Sequence, residues 1–144
     1  LLEQIDLNQE IPENLQKFFN LSNQVVQGIV DTALLKYKEA DYQMTLSLFV
    51  MLSALIPSNY DFWFRQGISA QMCGQTDLAL KAYAKASELN PGDIVPRLFS
   101  IECQLEKGLL QEAKSELEEL KKLKSNPELS EKISAYLSDL EKSL

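Results

Sequence analysis

The sequence predicts an all-α protein, a solenoid of three helix-turn-helix repeats with an N-terminal and a C-terminal flanking helix. Three observations predict it. Small residues recur at Ala40, Gly74 and Gly108, spaced by 34 each time, and a solenoid is the architecture that a fixed period of this length implies. Between them run segments of helical length, and no Val/Ile/Thr-rich alternating stretch points to a sheet. Finally, the stretch from Trp63 to Pro91 has the residue order that two antiparallel helices need to nest.

That stretch reads Trp63-x-x-Gln66-Gly67-x-x-Ala70, then Ala79-x-x-x-Tyr83, Ala86 and Pro91. It is the order of a tetratricopeptide repeat (TPR). Gly67 and Ala79 have almost no side chain, so two helix backbones can approach where they cross. Trp63 and Tyr83 are expected to fill the wedges on either side. Pro91 stops the second helix, having no N–H to donate. Gln66 and Ala70 depart from the usual leucine and tyrosine. One period earlier, Ala33, Thr45, Phe49 and Pro57 stand in the places of Gly67, Ala79, Tyr83 and Pro91. One period later, Ala113 and Leu117 stand in the places of Ala79 and Tyr83.

In chain order, residues 1–21 precede the register. A short helix from Glu13 to Asn20 would place Leu15, Phe18 and Phe19 on one side, either to cover the open end of the stack or to form a homodimer contact; both readings stay open. Repeat 1 covers 22–57, with its turn at Glu39-Ala40-Asp41. Its second helix, Tyr42 to Leu55, is apolar all round, which implies burial on more than one side. Met residues on an outer face could also meet a partner.

Repeat 2 covers 58–91. Ser58 with Asp61 resembles a capping arrangement, and Thr76 is the expected N-cap of the second helix. Repeat 3 covers 92–125, with Pro96 tolerated in the first turn of its helix. The segment 126–144 restarts at Asn126-Pro127-Glu128 and continues with apolar residues at helical spacing, as a solvating capping helix should.

Composition bounds the function. The chain has 144 residues, net charge −7 and no histidine. Length suits one domain with its own core. No basic patch offers itself to nucleic acid. Without histidine the usual nucleophile triads cannot be assembled, and zinc lacks its common ligands. No Gly-rich phosphate loop occurs, so neither an enzyme nor a cofactor is expected. No apolar run is long enough to insert stably in a membrane. The chain opens on Leu1, as a trimmed chain would. Cys73 and Cys103 lie in predicted helices without a C-x-x-C and read as small buried residues, which favours a reducing compartment.

In a curved repeat stack the first helix of each pair lines the concave side. Helical spacing then nominates Val30, Leu34 and Tyr37 from repeat 1, Phe64, Ile68 and Gln71 from repeat 2, and Val95, Leu98, Glu102 and Leu105 from repeat 3. A groove so lined suits an extended peptide with spaced apolar residues. Val30, Ile68 and Leu98 could equally be core residues. A clamp for acidic C-termini is disfavoured, because Lys36, Lys38, Arg65 and Arg97 are scattered.

Two segments resemble a known family. Gln66-Gly67-Ile68 with Met72-Cys73-Gly74-Gln75-Thr76-Asp77-Leu78-Ala79, and Glu102-Cys103-Gln104-Leu105-Glu106-Lys107-Gly108 with Glu112-Ala113, are similar to the class II chaperones of bacterial type III secretion, the LcrH/SycD/IpgC-like proteins. The resemblance covers about residues 13–125. It implies a non-enzymatic chaperone of the bacterial cytoplasm that keeps secreted translocator proteins soluble by gripping an extended N-terminal segment. It also implies dimerisation through the N-terminal region, and a gate or regulator component as a possible further partner. Tyr37 stands where such proteins commonly carry a groove tyrosine, whereas Val30 and Leu34 occupy places often aromatic in them. The alternative function is a generic TPR scaffold inside a larger assembly.

Overall fold

The computed structural model describes residue 13, residues 23–123 and residues 127–143. Leu15, Phe18 and Phe19, on which the expected N-terminal contact falls, and Asn126, where the last helix was expected to restart, lie outside the described residues.

The described residues form α-helices and no strand: α1 (Asn23–Lys38), α2 (Tyr42–Leu55), α3 (Tyr60–Met72), α4 (Thr76–Leu89), α5 (Val95–Glu106), α6 (Leu110–Lys122) and α7 (Pro127–Ser143). The main contacts run between successive helices, as in a solenoid whose units touch only their neighbours.

The turns within each pair are copies of one another. Ala40, Gly74 and Gly108 all adopt positive φ, at 59°, 72° and 75°. The next residue then donates its N–H back across the turn: Asp41 to the Lys36 carbonyl, Gln75 to Ala70, and Leu109 to Gln104, at 2.9 Å each. This is the Schellman closure, which satisfies carbonyls left over at a helix end. The residue after the left-handed position is therefore the N-cap of the second helix. That corrects the expectation at Thr76: Gln75 is the N-cap and Thr76 the first helical residue. Among Asp41, Gln75 and Leu109, only the Asp41 side chain accepts a capping bond, from the Met44 N–H at 3.2 Å. The Ser58 cap is also corrected. Ser58 is taken up in the turn after Pro57, so Asn59 is the N-cap and accepts from the Phe62 N–H. Asp61 pairs instead with Arg65.

Packing follows the 34-residue register. Phe49, Tyr83 and Leu117 are buried one period apart, as are Thr45, Ala79 and Ala113. A Cβ added to Gly67 would meet the Tyr83 ring at 2.4 Å, so the absent side chain is what lets α3 and α4 cross so closely. Trp63 does not fill the opposite wedge. It is half-buried and its indole N–H donates to the Pro57 carbonyl at 2.8 Å, while Phe62, 1 % exposed, enters the core beside Phe49. The departure at Gln66 has a partner, since its side-chain oxygen accepts from the buried Ser53 hydroxyl at 2.6 Å. A buried amide is costly without such a bond.

Three clusters of buried apolar residues make the core, and each recruits a helix from the next unit. Phe62 of α3 joins the first pair's cluster, Cys103 of α5 joins that of the second, and Ile133 and Leu137 of α7 join that of the third. Of the two cysteines, Cys103 is buried, while Cys73 caps the end of α3 and is half-buried, not inside the helix. Burial pushes the Cys103 thiol up to about 11 and raises that of Cys73. Protonated thiols of this kind are poor nucleophiles.

Candidate functional site

A pocket of about 120 Å³ opens between α1 and α3, lined by Leu34, Tyr37, Phe49, Arg65, Ile68 and Ser69. Three of the residues nominated from the sequence, Leu34, Tyr37 and Ile68, meet here from two different repeats. Phe49 closes the floor from α2. Tyr37 is 41 % exposed and packs edge-to-face on Tyr42, with ring centroids 5.5 Å apart. Aromatic pairs favour that arrangement, and it holds the Tyr37 ring upright at the rim. Arg65 is drawn along its own helix by Asp61, at 2.8 Å.

The next junction, between α3 and α5, is built differently. Phe64 is half-buried in a group of rings with Tyr60, Tyr83 and Phe99, at centroid distances of 5.6–6.0 Å. Phe99 stacks on Tyr83 at 5.7 Å. The Tyr83 hydroxyl donates to the Gln71 side-chain oxygen at 2.8 Å. Burial, more than the nearby Cys103 and Glu102, keeps that phenol protonated far above the usual tyrosine range. Tyr60 in turn donates to Asp93 at 2.6 Å, and Asp93 accepts from the Val95 N–H at the start of α5, which ties repeat 2 to repeat 3. At the α5–α7 end, Glu102 accepts from the Tyr136 hydroxyl at 2.9 Å, and Leu105 packs against the third core cluster.

Two nominated residues are not at the surface. Val30 is 1 % exposed and packs with Val26, Ala33 and Phe49, and Leu98 is 6 % exposed among Ile94, Ile101 and Leu117. Both sit one turn before the open positions, where the helix rotates toward its neighbour. Reading from the sequence missed Ser69 and Phe99, and weighed Arg65 only as one of the scattered basic residues. Their signal was available, because Arg65 and Phe99 are 34 residues apart and each lies one place beyond a nominated position, on the side facing the preceding repeat.

The basic residues near this face are largely engaged: Lys36 with Glu39, Arg65 with Asp61, and Arg97 with Glu116 and Glu119. Among the described residues no group of three or more His, Cys, Asp or Glu could hold a metal ion. None of their helices is long and apolar enough to cross a membrane.

Comparison with known proteins adds to this geometry. A tetratricopeptide repeat family model matches residues 73–133. Comparison with curated protein sequences gives no match. Among solved structures, the type III secretion chaperone SycD of Yersinia enterocolitica, in complex with a peptide of the translocator YopD, superposes with a TM-score of 0.76 at 26 % identity, covering 85 % of this chain and 96 % of that one. This chain has the fold of the type III secretion translocator chaperones. A chain of the CopN–Scc3 complex aligns at TM-score 0.76 and 26 % identity, covering 91 % of this chain and 85 % of that one. PcrH of Pseudomonas aeruginosa shares the fold at 18 % identity, with TM-score 0.71 over 83 % of this chain and 94 % of that one.

Proposed function

We propose that this protein is a type III secretion chaperone that holds an extended segment of a secreted translocator against the face formed by α1, α3 and α5, keeping it soluble and export-competent in the bacterial cytoplasm. The observation that carries this reading is the pocket shared by Leu34, Tyr37 and Ile68, in a fold whose relative SycD is solved with a translocator peptide. The role is binding and not catalysis, in keeping with the chaperone relatives.

The pocket is sized for a single aliphatic side chain, with Tyr37 as a wall that supplies contact area at low entropic cost. The Tyr83 bond occupies the carbonyl of Gln71 and leaves its NH₂ for a guest backbone carbonyl. Burying one apolar anchor contributes roughly 1.5–3 kcal/mol, whereas ordering an unfolded segment costs about 2–5 kcal/mol. Several anchors must therefore act together, and a single truncation weakens binding without abolishing it.

Co-expression with a hydrophobic translocator tests the reading. The wild-type chain should keep the translocator in the soluble fraction, and the double variant Leu34→Asp, Ile68→Glu should lose most of it. A translocator that stays equally soluble with wild type and variant, or precipitates with both, would contradict the proposal.

A further inference from the structure

The 34-residue register does not stop at α6. Leu34, Ile68 and Glu102 occupy one position in three successive first helices, and the next member of the series is Tyr136 on α7. The inner side of α7 behaves as that of a first helix should. Ile133 and Leu137 are buried against Leu117 and Leu120 of the preceding pair, just as their counterparts one period back, Phe99 and Cys103 of α5, pack in the cluster of the second pair around Tyr83. On the other side, Ser134, Ala135 and Ser138 are exposed, whereas their counterparts Gln66, Gly67 and Ala70 in α3 are buried, the last two against α4. The family model for the repeat likewise runs past α6 to residue 133. So α7 is the first helix of a fourth unit, with solvent-compatible residues where a second helix would pack.

From this we infer that Tyr136 is a groove residue, and that with Glu102 it forms a polar end of the groove that selects a basic side chain in the guest segment. The inference rests on the groove reading proposed above and deepens it. At the α1–α3 end the lining is apolar. Among the described residues Glu102, at the α5–α7 end, has one hydrogen-bond partner, the neutral Tyr136 hydroxyl at 2.9 Å, and no paired cation. The two cations of this helix and its end pair elsewhere, Arg97 with Glu116 and Glu119 and Lys107 with Asp77. Burial and the bond to Glu102 both raise the Tyr136 pKa, so the phenol stays a donor. It fixes one carboxylate oxygen and leaves the other to accept from a guest, and a carboxylate prefers a charged donor. Tyr136 is thus a positioning residue and Glu102 the selecting one.

The test uses the full chain and a set of fluorescein-labelled synthetic decapeptides. Each carries one leucine anchor and, at varied spacing, either lysine or its uncharged counterpart norleucine. At low salt, wild type should prefer the best lysine peptide over its norleucine twin by roughly three- to tenfold, and the preference should shrink as salt rises. Glu102→Gln should abolish the preference. Tyr136→Phe should reduce it with little change in melting temperature, a pattern that loss of α7 packing would not produce. Equal affinities for the twins in wild type, or a ratio unmoved in both variants, would overturn the inference while the groove stands. If Ile68→Glu bound every peptide as wild type does, or if wild type bound none, the groove reading itself would fall, and this inference with it.

Discussion

The α1–α3 and α3–α5 junctions use the same register positions and reach opposite results. At the first, Arg65 is drawn to Asp61, and a pocket remains between Leu34, Tyr37 and Ile68. At the second, the residue 34 places on is Phe99, which stacks on Tyr83 and packs on Phe64. One side chain per repeat therefore decides whether the space between neighbouring first helices is open to a guest or filled by the protein itself. The backbone supplies a repeated set of sites, and the residue after each groove position sets their depth.

The largest expected effect lies at the filled junction. Tyr83 is fully buried, contacts Phe64 and Phe99, and holds Gln71. Tyr83→Ala should lower unfolding free energy by about 3–5 kcal/mol in urea titrations. A loss near zero would mean that the ring group is not what joins repeats 2 and 3. Next in size is Gly67→Ala, which places a methyl group against the same ring. It should cost about 1–3 kcal/mol, since the ring is packed and cannot simply withdraw. A neutral result would show that the α3–α4 crossing can widen freely.

Arg65→Phe sharpens the contrast directly. It makes the first junction resemble the second, so it should weaken translocator binding roughly tenfold, which is ~1.4 kcal/mol. Stability should change by about 1 kcal/mol or less, because the part-buried i,i+4 pair that it removes is still reached by solvent on the Arg65 side. Calorimetric titration and a melting curve on the same sample would check both halves. The smallest effect is at the first turn. Ala40 adopts φ 59° where the other two turns have glycine, and a left-handed conformation costs a residue with a Cβ about 1–2 kcal/mol. Ala40→Gly should therefore stabilise the chain, by about 0.5–1 kcal/mol once the added freedom of the unfolded chain is counted.

The fold was legible because its determinants repeat. Ala40, Gly74 and Gly108 announce the turns, and Gly67 with Tyr83 announces the crossing; each depends on residue size or backbone freedom, which a single residue carries. The caps were less legible. Ser58 and Thr76 have the right chemistry, but the turn geometry passes the cap to Asn59 and Gln75. Position within a turn outweighs side-chain preference there. Trp63 misled for a related reason, because Phe62 beside it already occupies the core.

Within the candidate site, Leu34, Tyr37 and Ile68 could be read from helical spacing, and the pocket brings them together. Val30 and Leu98 could not be told from core residues, since an apolar side chain at a groove position looks the same whether the neighbouring helix covers it or not. Phe99 escaped notice because its effect is mutual: its ring matters only beside Tyr83 and Phe64, which arrive from other helices. Tyr136 was hidden by a break in the pattern, as α7 keeps the inner face of a repeat while its other face has turned polar.

The central claim is that the guest lies on the face of the first helices and not on the outer side of the stack. Its most direct test is photo-crosslinking from two positions, with benzoylphenylalanine replacing Tyr37 at the pocket rim or Met51, an exposed residue of α2. With a co-expressed translocator, position 37 should crosslink to it and position 51 should not. Crosslinking from position 51 with none from position 37 would contradict the account.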